Sequence, residues 1–424
     1  MERRPTSPEP RLARRLGTFD AVVIGLGSMI GAGVFAAFAP AARAAGTGLL
    51  IGLGVAAVVA YCNATASAQL AAVYPTSGGT YVYGRERLGA WWGFAAGWSF
   101  VVGKTASCAA MALTFATYAV PGPEWAQRLV GVAGVLALVV INTRGVTRTA
   151  AATRVLVAGT LIALTVLVLA IATGGHAGAS NLVAPTGGGY GVLQAAGLLF
   201  FAFAGYARIA TMGEEVIDPA RTIPRAIPIA LGVTVAIYAV VGLCALLAAG
   251  PEALAQAEAP LAAAARAAGA AWAVPVVRVG ATLASLGALL ALIAGIGRTS
   301  LAMARNSDLP GWLAAVHPRY RVPHHAEFAL AAVVGVLVAT TDLRGVIGFS
   351  SFGVLIYYGI ANASAFTQPA AHRRWPRALN LLGVAGCATL AVTLPVASIV
   401  AGLIVLAAGL GGRVVARRRH GARP

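Results

Sequence analysis

Charge is what this chain has little of. Of its 424 residues 10% are charged, and only 13 are acidic. A soluble domain carries about 25% charged residues, so an ordinary water-soluble enzyme is excluded. Lysine is almost missing: Lys104 stands alone, and every other basic residue is arginine. The four cysteines, Cys62, Cys108, Cys244 and Cys387, lie far apart inside apolar runs. Such spacing suits neither a metal site nor a redox pair, so they read as small hydrophobes. His317, His324 and His325 sit in a basic loop and read as solvated. No Walker sequence occurs, which argues against ATP-driven work by this chain alone. No catalytic set is visible and no cofactor or metal is implied, so an enzyme is not expected.

Apolar residues fill the space that charge leaves. The chain is 59% hydrophobic, with a mean hydropathy of +0.81. A membrane-crossing helix needs about 20 mostly apolar residues. Runs of that kind place spans near 20–42, 47–73, 90–120, 126–142, 153–173, 191–213, 226–249, 271–297, 326–341, 345–366, 378–394 and 395–412. The fold class is therefore all-α integral membrane, with about 12 transmembrane helices. Only Pro395 separates the last two spans, so one kinked or re-entrant element is a rival there. The basic N-terminus followed by an apolar run resembles a signal peptide. The run is longer than an h-region and many spans follow, so it reads as a retained first span.

The net charge of +18 would suggest nucleic acid as the partner of a soluble protein. Sorted by loop, it records orientation instead. Of the 31 basic residues, 24 fall in the two tails and in every second loop, and five fall on the opposite side. By the positive-inside rule both termini lie in the cytoplasm, the protein is a multi-pass component of the cytoplasmic (inner or plasma) membrane, and lipid is its surrounding partner. The number of spans is then even.

Two spans carry breaks. The first contains four glycines between Gly25 and Gly33, and each weakens a helix by about 1 kcal/mol against alanine. The sixth contains Phe200 to Tyr206, followed by Arg208. The two spans are five apart in order, the mark of two inverted repeats each opened by a broken helix. Broken backbone at that depth is tolerated only inside protein or beside a wet cavity. Half-helix N-termini attract a carboxylate and C-termini attract an ammonium or a cation, a geometry that suits an amino acid. Glycines that merely let helices pack closely are the competing reading. Asn63-Ala-Thr65 and Asn362-Ala-Ser364 match the glycosylation pattern but fall within spans. The chain thus divides into a tail (1–19), repeat 1 (20–173), repeat 2 (191–366), two further spans (378–412) and a basic tail (413–424).

Four segments resemble the amino acid–polyamine–organocation (APC) superfamily of secondary transporters, especially its bacterial amino acid permeases. They are Gly27-Ser-Met-Ile-Gly-Ala-Gly-Val-Phe35; Tyr74-Pro-Thr-Ser-Gly-Gly-Thr-Tyr81; Phe200 to Tyr206 with Gly213-Glu-Glu-Val216 and Asp218 to Pro224; and Met303-Ala-Arg-Asn-Ser-Asp-Leu-Pro310. The resemblance covers about residues 16–412. It implies a LeuT-like 5+5 inverted repeat with broken helices 1 and 6 and two extra C-terminal helices. It also implies alternating-access transport of an amino acid bound between spans 1, 3, 6, 8 and 10. Carried over residue by residue, the N–H groups of Gly31, Ala32 and Gly33 bind the carboxylate. The carbonyls of Met29, Ile30, Ala204 and Gly205 face the amine, and Phe203 gates the ligand. Without the resemblance, Phe203 reads as an ordinary core or lipid-facing aromatic.

Ionisable groups sharpen the expectation. Lys104 falls mid-span, where a charge costs about 2.5–3.5 kcal/mol on insertion scales. Lysine, unlike arginine, loses its proton readily when buried, so Lys104 is a candidate for proton coupling or cavity electrostatics; a structural lysine bonded to broken-helix carbonyls is the rival. Some proton-coupled superfamily members place a lysine in span 5, where this chain has Thr160. Arg208 is expected to pair with Glu214 or Glu215 at a gate. No acidic residue lies near the breaks, which favours a neutral amino acid. Proton symport is the expected coupling. Sodium is the alternative, with Ser285 as a hydroxyl ligand, and exchange or flux-free nutrient sensing are the alternative functions. A major facilitator architecture is disfavoured because the central loop is brief and its basic motif after span 2 is missing.

Overall fold

Long apolar runs with no water to bond must satisfy their own backbone, and helices do so within one segment. The computed structural model describes residues 16–75, 78–144, 149–182, 184–210, 212 and 215–421, which are helical nearly throughout. The α-helices, in chain order, are α1 (Thr18–Met29), α2 (Ala32–Ala36), α3 (Phe38–Ala45), α4 (Leu49–Val73), α5 (Thr80–Leu88), α6 (Ala90–Ala119), α7 (Glu124–Thr143), α8 (Thr149–Thr173), α9 (Gly188–Phe203), α10 (Ala207–Ala210), α11 (Pro219–Gln256), α12 (Pro260–Ala267), α13 (Val274–Arg305), α14 (His324–Thr340), α15 (Leu343–Phe366), α16 (Arg377–Thr393) and α17 (Val396–Gly421).

Among the described residues, ten helical stretches are long and apolar enough to cross a membrane. Two more, α14 and α16, are apolar but shorter, at 17 residues each. Together they match the twelve spans read from the sequence. The last two spans are separate helices, parted at Leu394 and Pro395, where proline lacks the N–H that would continue a helix. Two short helices, α5 and α12, lie outside the spans.

Burial separates a centre from a periphery. In α6 and α15, 72% of the apolar window is buried inside the protein, against 17% in α7 and α17. Apolar side chains on the outer helices face outward, as Leu129, Leu136 and Ile404 do. Helices α6 and α15 are joined by Ser107 Oγ and Ser350 Oγ at 2.6 Å. Asn63 of α4 accepts from Asn362 Nδ2 of α15 at 2.6 Å, and both residues are fully buried. Buried polar groups of this kind need partners, and burial rules out modification of either asparagine in the folded protein.

At the arginine-rich end, the segment before α1 is stitched to the segment after α10. Leu16 N donates to Glu215 O at 3.2 Å and Ile217 N to Leu16 O at 2.9 Å. Asp20 pairs with Arg154 of α8. Asp308, just past α13, lies between Arg85 of α5 and Arg413 of α17, each at 2.8 Å. Tyr81 donates its hydroxyl to the same carboxylate at 2.8 Å. Burial, then the neighbouring Asp308, push that phenol above its ordinary range, so it remains a donor. The Arg413 guanidinium also lies 4.7 Å over the ring of Phe94, a desolvated cation–π contact. The last helix is therefore clamped to α5, α6 and the end of α13.

Candidate functional site

The two breaks are present and face each other. Helix α1 stops at Met29. Ile30 (φ −79°, ψ 57°) and Gly31 (φ −101°, ψ −142°) leave the helical region, and α2 restarts at Ala32. Helix α9 stops at Phe203, residues Ala204–Tyr206 tighten to a 3-10 turn, and α10 follows. A Cβ added to Gly205 would lie 2.2 Å from the carbonyl oxygen of Ser28, and one added to Gly33 would lie 2.6 Å from Ala202 Cα. Close packing and helix breaking are therefore not rivals here: small residues let the two interrupted segments touch.

Several of the freed backbone groups have partners. A carbonyl oxygen has two lone pairs. At the first break, Met29 O accepts from Tyr238 Oη at 2.5 Å and from Gly31 N at 2.8 Å. The same Tyr238 hydroxyl lies 3.1 Å from Ala202 O, so one phenol bridges both interrupted helices. Ala32 N donates to Met111 Sδ at 3.3 Å, and a thioether is a weak acceptor. At the second break, Ala204 O accepts from Lys104 Nζ at 3.0 Å and from Tyr358 Oη at 3.1 Å. Both Met29 O and Ala204 O are thus fully engaged by the protein's own donors.

Lys104 is 5% exposed, and no carboxylate pairs with it among the described residues. It lines a cavity of about 40 Å³ with Ser28, Phe100, Arg208, Leu292 and Arg298. Ligand pockets span roughly 300–1,000 Å³, so a ligand larger than a few waters must widen this one. The cavity runs from the breaks toward the arginine-rich end. Every charged side chain lining it is basic.

The structure brings Ala204, Gly205, Lys104 and Arg208 to this cavity. Met29, Ile30, Gly31, Ala32 and Gly33 are buried at the first break behind Ser28. Phe203 is fully buried and packs on Tyr238, ring centres 5.1 Å apart, outside the cavity wall. Arg208 Nη2 stands 4.0 Å from Glu215 Oε1, at the outer limit of an ion pair. The shorter bond to that carboxylate, 3.0 Å, comes from Arg298 of α13. Glu214 lies outside the described residues. Thr160 donates to its own helix at Leu156 O, 2.8 Å away. Ser285 Oγ is buried with no hydrogen-bond partner among the described residues. One hydroxyl is not a coordination shell for sodium. Sequence reasoning missed Tyr238, Tyr358, Met111 and Arg298. Only Arg298 carried a usable signal, as a charge at the end of an apolar run.

Residues 16–412 match the amino acid permease family. The chain belongs to that family. Relatives of this permease include an uncharacterized transporter of Mycobacterium tuberculosis, 58% identical over 98% of this chain and 96% of its own. The branched-chain amino acid permease BcaP of Bacillus subtilis is 26% identical, over 84% and 82% respectively. Cationic amino acid transporter 7 of Arabidopsis thaliana is 28% identical, over 84% and 66%. The permease is thus a multi-pass membrane transporter, and the last two relatives are named for branched-chain and for cationic amino acids.

Proposed function

We propose that the permease is a secondary active transporter. It carries a neutral amino acid across the cytoplasmic membrane by alternating access, in symport with protons, with both termini in the cytoplasm. The observation that carries this reading is the bond from Lys104 Nζ to Ala204 O at the facing breaks, beside a cavity whose lining charges are all basic. An incoming ammonium finds Ala204 O already saturated. It must displace Lys104 or Tyr358, and Lys104 then turns to the ligand's carboxylate. Exchange of partners of this kind keeps each buried charge bonded. A second positive charge on the ligand has no counter-ion in the cavity wall among the described residues. The chemistry favours the neutral cargo class of BcaP over the class named for the cationic transporters.

The 24-to-five division of basic residues supports a cytoplasmic position for the arginine-rich end. The cavity then faces the cytoplasm. The test is uptake into proteoliposomes, with a panel of radiolabelled amino acids under imposed proton or sodium gradients. Proton-driven accumulation of neutral amino acids is expected. Selective uptake of arginine or a polyamine would overturn the cargo class, and uptake driven only by sodium would overturn the coupling ion.

A further inference from the structure

Helix α14 opens with a buried acid. Glu327 is 1% exposed, in the first turn of an apolar helix. Acids are common in first turns because they favour the helix dipole, but those are usually wet or cap a backbone N–H. Glu327 does neither among the described residues. Its Oε1 accepts from Asn142 Nδ2 of α7 at 2.7 Å. Its Oε2 is buried with no hydrogen-bond partner among the described residues. A carboxylate has about four acceptor sites, and one neutral donor leaves an ionised form badly under-satisfied in a dry setting. This group gains from holding a proton while it is shut in, and from losing it when water arrives.

We propose that Glu327 is a proton-binding site of the transport cycle, resting on the proton-coupled reading above. Its surroundings link it to the cavity. Glu327 packs on Gly297 of α13, where an added Cβ would lie 3.3 Å from Glu327 Cγ. The next two residues of α13, Arg298 and Thr299, line the cavity. One helix therefore has the proton site on one side and the ligand cavity on the other. Symport requires a group that takes up and releases a proton; in the exchange of partners described above Lys104 keeps its charge throughout, so the proton needs a second site.

The charged neighbours define the switch. Arg298 is the charged group that α13 presents to Glu327. Helix α7 presents the neutral Asn142. Helix α6, which also packs on α14, has Lys104 as its one charged residue. Glu327's own helix places His324 one turn earlier, and His324 meets His317 and His325 ring to ring. Arg298 already holds Glu215 at 3.0 Å, in the segment after α10. An ionised Glu327 competes with Glu215 for that guanidinium. A protonated Glu327 leaves Arg298 to Glu215 and so keeps the broken helix tied to α13. Proton binding thereby biases an element that the ligand also touches, which is the requirement for linkage.

The test compares wild type, Glu327→Gln and Asn142→Ala in proteoliposomes, with thermal stability measured for each. Wild type accumulates a neutral amino acid under a proton gradient. Glu327→Gln is expected to lose that accumulation by tenfold or more, yet still exchange labelled for unlabelled amino acid in counterflow. Asn142→Ala removes the donor that favours the ionised form, so the pH at which proton-driven uptake falls off should move upward. Normal proton-driven accumulation by Glu327→Gln, or loss of accumulation and counterflow together with stability, would overturn the assignment. Wild-type protein that exchanges but never accumulates under a proton gradient would overturn the proton-coupled reading instead, and the site with it.

Discussion

The two helix breaks solve one problem in different ways. At the first, the chain largely satisfies itself: Gly31 N turns back to Met29 O, and a neutral tyrosine completes that carbonyl. The next donor, Ala32 N, rests on a thioether. At the second, a carbonyl is held by a buried ammonium from a distant helix, with a tyrosine beside it. The first break thus keeps a donor lightly engaged, as an anion site needs. The second keeps an acceptor under a cation. One end of a zwitterion suits each, and only the second carries a full charge when no ligand is there.

The strongest way to break the comparison is at their contact. Gly205→Val puts branched carbons against the Ser28 backbone, which lies 2.2 Å from the first of them. Backbone cannot give as a side-chain tip can, and overpacking costs about 1–3 kcal/mol or more. Transport should be abolished and the melting temperature lowered by several degrees. Gly31→Ala meets the Ala288 methyl instead, at 2.6 Å, and should be milder. Equal effects in paired uptake and thermal-melt measurements would erase the distinction.

Next comes Lys104→Met. A hydrogen bond to a charged group contributes about 1.5–3 kcal/mol, so affinity for a neutral amino acid should fall about 10- to 100-fold in equilibrium binding. Lys104→Arg should not restore it, because a planar fork does not replace a point charge at one carbonyl. The smallest effect belongs to Tyr238→Phe. It removes one neutral hydroxyl from Ala202 O and from Met29 O, and Met29 O keeps its bond from Gly31 N. We expect about 1 kcal/mol of lost stability and a few-fold slower uptake. A Tyr238→Phe defect as deep as that of Lys104→Met would show that the first break depends on its neutral bridge as much as the second depends on charge.

The spans and both breaks were legible in the sequence because hydrophobic length and glycine content act locally. Thus Gly31 and Gly205 were found where the helices part. Partners across the bundle were not legible. Tyr238 and Tyr358 are tyrosines in apolar helices, and nothing in their neighbours tells which carbonyl each reaches. Phe203 was expected over the ligand from its place before the break, yet its ring packs against Tyr238 because α11 closes over that face. Nothing in the sequence singles out Glu327, whose flanks are a basic loop and an apolar run. Only the packing of α7 and α13 makes it buried. Helices α5 and α12 escaped notice because they are too short and polar or alanine-rich to stand out from loops.

The central claim is that the facing breaks and Lys104 form the ligand site. Equilibrium binding of a panel of radiolabelled neutral amino acids to purified wild type and to Lys104→Met tests it most directly. The account predicts binding by wild type and a drop of at least tenfold in the folded variant, with arginine bound by neither more tightly than the neutral ligands. Unchanged affinity in Lys104→Met, at unchanged melting temperature, would contradict it.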